Sequence, residues 1–369
     1  MIWLILLILF AITGGVIWYV VRHRTQKPTL SAEYKQDVGS FLIESAQKVE
    51  PVIQELLAVH AGKRFHEAMT YQVVTGGKKL RPALVILGAR SVGGRDEDVL
   101  YAAAAVEILH NYSLIIDDMI DHSQVRRGQS TVWKKWGRSM AECLGVHYAA
   151  AVFDGALRTP CPVKATKLLV ETLQVLLEGE MLDIFQERAG REDELLVAQE
   201  RYKVVHMEDY IEMASKKTAK LLATSCLLGG LCAGASVKEQ QALSDYGFNL
   251  GMAFQVQDDI LDIFGEEEGF GKKIGKDIEE RKGGNAVILF ALEELTNPEL
   301  DELLHRGQLE DNDIKRAIQI ISQTQAREKA LQLCRRYTEK ARAALAALPA
   351  GSNREIMNEM ISYLMSRDK

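Results

Sequence analysis

Two aspartate-rich segments of identical spacing are the residues in this sequence best suited to chemistry. Residues 117–121 and 258–262 both read Asp-Asp-x-x-Asp, and each follows a largely apolar run. In a helix, positions i and i+4 lie one turn apart on the same face, so Asp117 and Asp121 can close on one hard cation. Carboxylates near apolar surroundings are costly unless a positive charge neutralises them. The two segments therefore predict two carboxylate walls that face each other across one cavity.

Basic residues accompany both aspartate segments and also follow a pair of glycines upstream of them. Residues 76–82 read Gly-Gly-Lys-Lys-Leu-Arg-Pro, in which the glycines permit close backbone approach to a ligand. Lysine supplies a point charge and arginine a planar fork, a combination suited to a diphosphate. The basic residues concerned are Lys78, Lys79, Arg81, Arg126, Arg127, Lys217, Lys272, Lys273 and Lys282.

Taken singly, these basic residues also fit solvated loops or structural ion pairs. However, the order of apolar helix, carboxylates, loop and cations occurs twice in the sequence. A magnesium bridge explains this order better, because carboxylates can hold the ions while the ions and the basic side chains hold phosphate oxygens.

The elements that must position these residues are predicted to be helices. Beyond residue 32 the chain is rich in Ala, Leu, Glu, Lys and Gln, and the whole sequence has only 7 prolines. Gly-containing polar breaks separate the helical patterns, and no internal repeat stands out. The sequence predicts an all-α bundle of ten or more helices over residues 32–369, with the most apolar helices at its centre.

The N-terminal 22 residues have a different composition. Residues 1–21 carry no charged side chain and would span roughly 30 Å as a helix, which is the thickness of a hydrocarbon core. A signal peptide is the alternative, but it would have a basic segment before a shorter apolar core, whereas here Arg22 and Arg24 follow the apolar run. We predict a single-pass transmembrane anchor over residues 1–22 and a linker over 23–31. The positive-inside rule then places the domain in the cytoplasm.

Charge and cysteine content argue against several other classes. The net charge of −6 gives no basic field for nucleic acid. The 5 cysteines are odd in number and form no Cys-x-x-Cys pair, which argues against a disulfide framework or a zinc site. Reduced cysteines agree with a cytoplasmic domain.

From residue 35 to residue 369 the chain resembles the trans-isoprenyl diphosphate synthases, the family of farnesyl and geranylgeranyl diphosphate synthases. The resemblance rests on the glycine–lysine run at 76–82, on residues 110–128, on Lys217-Thr218, on Phe254-Gln255 with the second aspartate segment, and on residues 271–282. It implies an isoprenoid synthase-type helical bundle around a deep central cavity, usually a homodimer. It also implies condensation of isopentenyl diphosphate with an allylic diphosphate.

The same resemblance implies a role for each matching residue. Asp117, Asp121 and Asp258 correspond to direct ligands of three Mg²⁺ ions, with Asp118, Asp259 and Asp262 close by. Contacts to the allylic diphosphate correspond to Arg126, Lys217 and one of Lys272 or Lys273, with Lys282 in the same basic cluster. The isopentenyl diphosphate site corresponds to Lys78, Arg81, His110 and Arg127, and we include Lys79 with them. Thr218 and Gln255 correspond to residues that steady the allylic cation through their oxygens.

The sequence departs from the family pattern at four positions and carries a bulky residue at a fifth. The departures are Ser130, Val146, Glu180 and Gly284. None of them removes a primary metal ligand. In the family, the residue five before the first aspartate lies along the floor of the chain-elongation tunnel, and here that residue is Tyr112. We therefore expect a short product, geranylgeranyl diphosphate first and farnesyl diphosphate second.

Two other functions remain open from the sequence. The departures would fit a non-catalytic subunit that binds prenyl diphosphates, although all six motif aspartates are present. A class I terpene cyclase shares the metal chemistry but rarely needs an isopentenyl site, which argues against it here.

Overall fold

Helices follow one another along almost the whole described chain. The computed structural model describes residues 37–265, 274–306 and 309–366. The predicted anchor (1–22), the linker (23–31), Lys272 and Lys273 lie outside the described residues. Within them, the prediction of an all-α bundle is confirmed.

The helices differ widely in length, and the longest belong to the core. In chain order they are α1 (Val38–Ala58), α2 (His66–Val74), α3 (Leu80–Arg90), α4 (Leu100–Ile120), α5 (Val132–Trp136), α6 (Arg138–Leu157), α7 (Pro162–Gln186), α8 (Leu195–Glu200), α9 (Met207–Ala214), α10 (Lys220–Cys232), α11 (Val237–Phe264), α12 (Lys276–Glu279), α13 (Ala286–Glu294), α14 (Glu299–Leu304), α15 (Asp311–Ile321), α16 (Ala326–Ala344) and α17 (Ser352–Met365).

Shorter elements connect some of these helices. Single 3₁₀ turns occur at Lys63–Phe65, Asp96–Val99 and Leu345–Ala347, and a π-helical turn at Ser215–Ala219 joins α9 to α10. A small antiparallel hairpin, β1 (Val125–Arg126) and β2 (Gln129–Ser130), follows α4. Its two connecting residues, Arg127 and Gly128, have φ of 53° and 74°, which a tight hairpin turn requires.

Helix α4 lies at the centre of the bundle because its sequence is apolar on every side. The alanines and aliphatic residues from Ala102 to Leu109 are fully buried, and α4 packs against α1, α3, α6, α7 and α10. Within the described residues, Asp96–Ile120 is the stretch long and apolar enough to cross a membrane, and 61% of its apolar window is buried inside the protein. We therefore regard α4 as a core helix, and its tight packing fixes the position of the first aspartate segment at its C-terminal end.

Helix α11 carries the second aspartate segment and connects two apolar cores. A capping box fixes its start, in which the Ser236 N–H donates to Glu239 Oε2 at 2.8 Å. Leu250 belongs to the core around α4, whereas Met252 belongs to a second core formed with α13, α15 and α16. The second aspartate segment thus lies at the edge of the second core.

Candidate active site

The first aspartate segment forms the C-terminal end of α4. Asp117 and Asp118 lie in its last turn, and Asp121 follows it directly. Arg126 on β1 donates from Nη2 to Asp117 and from Nε to Asp118, both at 2.8 Å. Asp118 is 1% exposed, so its bond to Arg126 fastens the hairpin to the helix. Burial opposes the ionisation of Asp117, but Lys217 and Arg126 hold its pKa below the usual value.

The second aspartate segment lies at the end of α11. Asp259 is 2% exposed and accepts hydrogen bonds from Gln255 Nε2 and the Ala286 N–H, both at 2.9 Å. Asp262 accepts from two backbone N–H groups of α12, at 3.1 and 3.2 Å. Asp259 and Asp262 therefore brace α11 against α12 and the start of α13. Asp258 lines the cavity in front of them.

The two segments face each other across a cavity of about 210 Å³, as the sequence predicts. Its carboxylates are Asp117, Asp121, Asp183, Asp258, Asp259, Asp262, Asp277 and Glu280, and its lysines are Lys217, Lys276 and Lys282. Carboxylates thus outnumber ammonium groups by eight to three. The excess of carboxylates affects the second wall. Burial and, to a lesser extent, the negative charge of Asp277 raise the pKa of Asp262 there to about 9.

The chemistry of this donor set fits hard divalent cations. Carboxylate oxygens are the ligands that Mg²⁺ and Ca²⁺ prefer. Among the residues that the structure describes, no three acidic, His or Cys side chains are already arranged to hold one ion. Lysine ammonium groups lie beside the first wall, with Lys217 at 3.3 Å from Asp117 and Lys282 at 3.2 Å from Asp121.

Asp183 on α7 connects these two lysines. Its Oδ2 lies 2.7 Å from Lys217 Nζ and 2.9 Å from Lys282 Nζ. Because both ammonium groups stabilise its charge, the pKa of Asp183 is lowered despite its burial. One carboxylate therefore holds the two cations that face the first wall. The sequence patterns do not identify Asp183 as a site residue. Its position one helical turn after Gly179-Glu180 is the feature of the sequence that could have indicated it.

Lys217 and Thr218 lie in the π-helical turn between α9 and α10, which is clamped from both sides. A Cβ atom added to Gly179 of α7 would lie 2.4 Å from the Lys217 backbone nitrogen. On the other side, a Cβ added to Gly251 of α11 would lie 2.6 Å from the Ala219 Cα. Two glycines thus let both helices touch this turn, and π-helical turns of this kind are frequent at functional sites.

Thr218 and Gln255 are in direct contact, and each lines one of two neighbouring cavities. The Thr218 hydroxyl donates to Gln255 Oε1 at 2.6 Å, and Gln255 Nε2 donates to Asp259. This chain of bonds fixes the amide, so that its carbonyl and the hydroxyl oxygen are both held at the junction between two cavities.

The second of these cavities is largely apolar, with a volume of about 200 Å³. Its apolar lining comes from α4, α7 and α10 and consists of Tyr112, Leu114, Ile116, Leu173, Leu176, Leu177 and Leu221. Asp117, Lys217 and Thr218 line its polar end, and the first two also line the carboxylate cavity. A hydrocarbon chain can therefore continue from a charged group bound at Lys217.

Tyr112 lines the apolar cavity, and its ring lies beside α6. It precedes Asp117 by five residues, which corresponds to about 7.5 Å along a helix. A Cβ added to Gly145 of α6 would lie 3.7 Å from Tyr112 Cε2, so the ring lies over this glycine. Val146, the departure next to Gly145, is exposed instead and does not line the cavity.

Glu180, another departure, lies at the boundary of the two cavities. Its Oε2 is 2.8 Å from Lys217 Nζ, while its buried Oε1 has no hydrogen-bond partner among the described residues. Burial raises the pKa of Glu180 to about 7. The positive charge of Lys217 opposes this shift, whereas the negative charges of Asp117 and Asp183 add to it. Glu180 therefore takes up a proton more readily than an exposed glutamate does.

A second basic group adjoins the apolar cavity, which Arg81 and His110 also line. Arg81 Nη1 donates to His110 Nε2 at 3.2 Å, so this ring nitrogen is unprotonated. Burial and the nearby Arg81 and Arg127 push the pKa of His110 well below its usual value. Arg127 donates to the Gly76 carbonyl, and its guanidinium fills the space beside Gly77. Three of the residues predicted to bind isopentenyl diphosphate thus lie close to one another.

Lys79 differs from its prediction as a substrate-binding residue. Its side chain turns inward and is 9% exposed, with Nζ donating to the Val73 carbonyl at 3.1 Å and lying 3.1 Å from Glu107 Oε1. The backbone at Lys79 is left-handed, with φ of 47°, which directs neighbouring side chains apart. Lys78 is exposed. We therefore assign Lys79 to the neutralisation of buried Glu107.

Replacing Lys79 by methionine is expected to lower the free energy of unfolding by about 3–5 kcal/mol, because a buried carboxylate would lose its cation. Replacing the neighbouring Lys78 by methionine should leave the unfolding free energy unchanged, since that side chain is exposed. Urea denaturation of both variants measures this difference. Equal stabilities would contradict the structural role of Lys79.

The fold and the site together define a class of protein, an all-α bundle in which two aspartate segments face each other beside an apolar cavity. The sequence also matches the family described as Polyprenyl synthetase over residues 62–321. The chain belongs to this family, the trans-isoprenyl diphosphate synthases, and is a trans-prenyltransferase.

Individual relatives agree with this assignment over most of their length. The chain is 30% identical to a short chain isoprenyl diphosphate synthase of Methanothermobacter thermautotrophicus, over 90% of this chain and 99% of that protein. It is 32% identical to a geranylgeranyl diphosphate synthase of Methanosarcina mazei, over 87% and 95%. A polyprenyl synthase from Caulobacter crescentus, solved in complex with calcium and isoprenyl diphosphate, superimposes with a TM-score of 0.79 at 30% identity, over 90% of this chain and 100% of that one.

Proposed function

We propose that this enzyme condenses isopentenyl diphosphate with an allylic diphosphate to form geranylgeranyl diphosphate, with farnesyl diphosphate as the second candidate product. The observation that carries the proposal is that the carboxylate cavity and the apolar cavity share Asp117 and Lys217. A substrate with a diphosphate head and a hydrocarbon tail fits across this boundary. The similarity to the Methanosarcina mazei enzyme supports a product of this class.

The allylic diphosphate would bind at the carboxylate cavity. Asp117, Asp121 and Asp258 would hold Mg²⁺, for which we propose three ions by analogy with the family. When bound, Mg²⁺ neutralises the diphosphate and makes it a better leaving group. Arg126 and Lys217 would hold the remaining phosphate oxygens, with Lys282 close behind them.

The developing allylic cation would lie where the two cavities meet. The Thr218 hydroxyl oxygen and the Gln255 carbonyl are fixed there by their mutual hydrogen bond. Preorganised oxygen dipoles stabilise positive charge without reorganising during the reaction. Arg81, with neutral His110 beside it, lines the same apolar cavity and would hold isopentenyl diphosphate so that its double bond attacks the cation. The departed pyrophosphate can take the proton, so no protein nucleophile is required.

Incubation of the purified protein with isopentenyl diphosphate, Mg²⁺ and each allylic primer, followed by mass spectrometry, tests the proposal. Geranylgeranyl diphosphate is the expected main product, and EDTA should abolish its formation. Product that forms only after a second subunit is added would favour the non-catalytic subunit. A hydrocarbon formed without isopentenyl diphosphate would favour a terpene cyclase.

Replacing Tyr112 by alanine is expected to lengthen the main product by one or more five-carbon units. The ring lies on the wall of the apolar cavity, and its removal opens space toward α6. The first condensation should proceed at an unchanged rate, because the polar end of the cavity is not altered. Product analysis by mass measures the change.

The Tyr101→Ala variant is the matched control for Tyr112→Ala. Tyr101 lies on the same helix, but its hydroxyl contacts Glu55 on α1, and it does not line the cavity. An unchanged product from Tyr112→Ala, or the same lengthening from Tyr101→Ala, would exclude Tyr112 as the determinant of chain length.

The N-terminal segment is proposed to anchor the enzyme to a membrane, with the catalytic domain in the cytoplasm. A C15 or C20 product would partition into lipid by roughly 0.8 kcal/mol per buried CH₂, so synthesis at the membrane surface would deliver it directly. Deleting residues 1–24 should leave activity intact and release the protein from membranes. Complete co-sedimentation of the truncated protein with membranes would contradict the anchor as the sole cause of attachment.

A homodimer is proposed as the working form. Apolar side chains are exposed along α6 and α7, at Val146, Leu157, Val163, Val170, Leu177 and Met181. Val163 and Val170 are spaced seven residues apart, which places them on one face of α7 for helix packing. Sedimentation analysis tests the dimer, and a Val163→Glu/Val170→Glu variant should shift it toward monomer.

A further inference from the structure

Two cysteines that are distant in sequence lie against each other where the N-terminus of α7 meets the C-terminus of α10. Both helices also line the apolar cavity. Cys161 occupies the N-cap of α7, and Cys232 is the last residue of α10. Their Sγ atoms are 3.3 Å apart, and both side chains are only partly buried. A disulfide has an S–S length of about 2.05 Å, so the two sulfurs need to approach by little more than an ångström to bond.

The surroundings of Cys161 favour its thiolate. It lies at the N-terminus of a 25-residue helix, where the helix dipole stabilises negative charge. The hydrogen bond from the Cys232 thiol, the hydroxyl of Thr159 and the charge of Lys164 lower the pKa of Cys161 to about 7 against the effect of burial. The pKa of Cys232 is raised. Cys161 is thus suited to attack a disulfide and Cys232 to resolve the product.

The remaining cysteines differ from this pair. Cys226 and Cys334 are buried, and burial raises the pKa of the Cys334 thiol to about 11. Cys143 is exposed on α6. These three positions provide an internal comparison for any oxidation at Cys161 and Cys232.

We propose that Cys161 and Cys232 are a dithiol site that closes to a disulfide by exchange with a low-molecular-weight disulfide such as oxidised glutathione. The Cys161 thiolate displaces one thiolate from the small disulfide and forms a mixed disulfide with the other half. The Cys232 thiol then loses its proton, and its sulfur displaces the second small thiolate. The protein dithiol is oxidised by two electrons, and one small disulfide is reduced to two thiols.

The disulfide would fasten α7 to α10 at the end opposite the diphosphate contacts. At one end these walls are joined by Lys217 and Asp183. Further along, Thr172 and Thr224 share a buried hydrogen bond of 2.7 Å. The cysteine pair joins the same two helices beyond these contacts, and a covalent bond there would restrict their separation. Because the bond closes a loop of about 70 residues in the unfolded chain, it should raise Tm by about 5 °C.

The test compares full-length protein equilibrated with oxidised or with reduced glutathione at pH 8. Peptide mass mapping should find Cys161 and Cys232 joined in the oxidised sample, with the Tm higher than in the reduced sample. In Cys232→Ser, glutathione should remain attached to Cys161, whereas Cys161→Ser should leave Cys232 unmodified. The Cys143→Ser variant should behave like the native protein in forming the disulfide.

Melting under reducing conditions shows whether the serine variants are folded, since all variants should then melt at nearly the same temperature. The proposal is overturned if Cys161 and Cys232 both stay alkylatable in the oxidised sample while Cys143 carries glutathione. It is also overturned if the disulfide forms but leaves Tm unchanged or lowers it, because the bond would then not fasten the two helices in their native positions.

Discussion

Replacing Asp117 by asparagine is expected to lower kcat by about a thousandfold. Asp117 is the residue that lines both cavities on the first wall, and Lys217 and Arg126 keep it ionised. Asparagine keeps the size of the side chain but removes the negative charge that would hold a cation against the diphosphate. The fold should persist, because Arg126 keeps its bond to Asp118 and Lys217 keeps Asp183.

Steady-state kinetics at saturating Mg²⁺ and both substrates measures the loss, and a thermal melt shows that the variant is folded. The matched control is Asp98→Asn, which removes an aspartate whose carboxylate pairs with exposed Arg95 in the turn before α4. The control should retain full activity. An Asp117→Asn enzyme as active as the native protein would remove the first aspartate segment from the mechanism.

The parts of the site that repeat along the chain were accessible from the sequence. Helical spacing places Asp117 and Asp121 on one face, and the recurrence of the same spacing at Asp258 predicts a second wall. The shared role of Thr218 and Gln255 is implied by the resemblance to a family rather than by any local pattern, and their contact appears only in the structure, because 37 residues separate them and two different elements carry them. The all-α architecture follows from composition and helical periodicity alone.

Other parts depended on partners that no local pattern reveals. Lys79 lies in the same basic run as Lys78, yet a left-handed backbone and the buried Glu107 turn it into the core. Asp183 becomes a site residue only because α7 passes beside the π-helical turn, where it meets Lys217. The pairing of Cys161 with Cys232 depends in the same way on where two helix ends meet. Side-chain direction and tertiary contact, rather than residue type, decide these positions.

Replacing Gly179 by alanine is expected to reduce kcat/KM for the allylic substrate by about a hundredfold. In the interior of a helix, alanine is favoured over glycine by about 1 kcal/mol, so without other contacts this change would stabilise α7. Here the new Cβ would lie 2.4 Å from the Lys217 nitrogen and 2.8 Å from its Cα. These are backbone atoms, so no side-chain rotation relieves the clash. Gly251 of α11 meets the same turn from the other side, so the turn cannot simply retreat.

Lys217 and Thr218 should therefore shift by a fraction of an ångström to an ångström, and misplacement on this scale can cost a factor of about 100 in rate. Gly62→Ala is the matched control, because the nearest atom to its new Cβ, Phe65 Cδ2, is 4.0 Å away. That variant should keep native kinetics. Kinetics measured well below the Tm of each variant separates displacement from unfolding. If Gly179→Ala is more stable than the native protein and equally active, the close approach of α7 does not position Lys217, and the glycine at 179 needs another explanation.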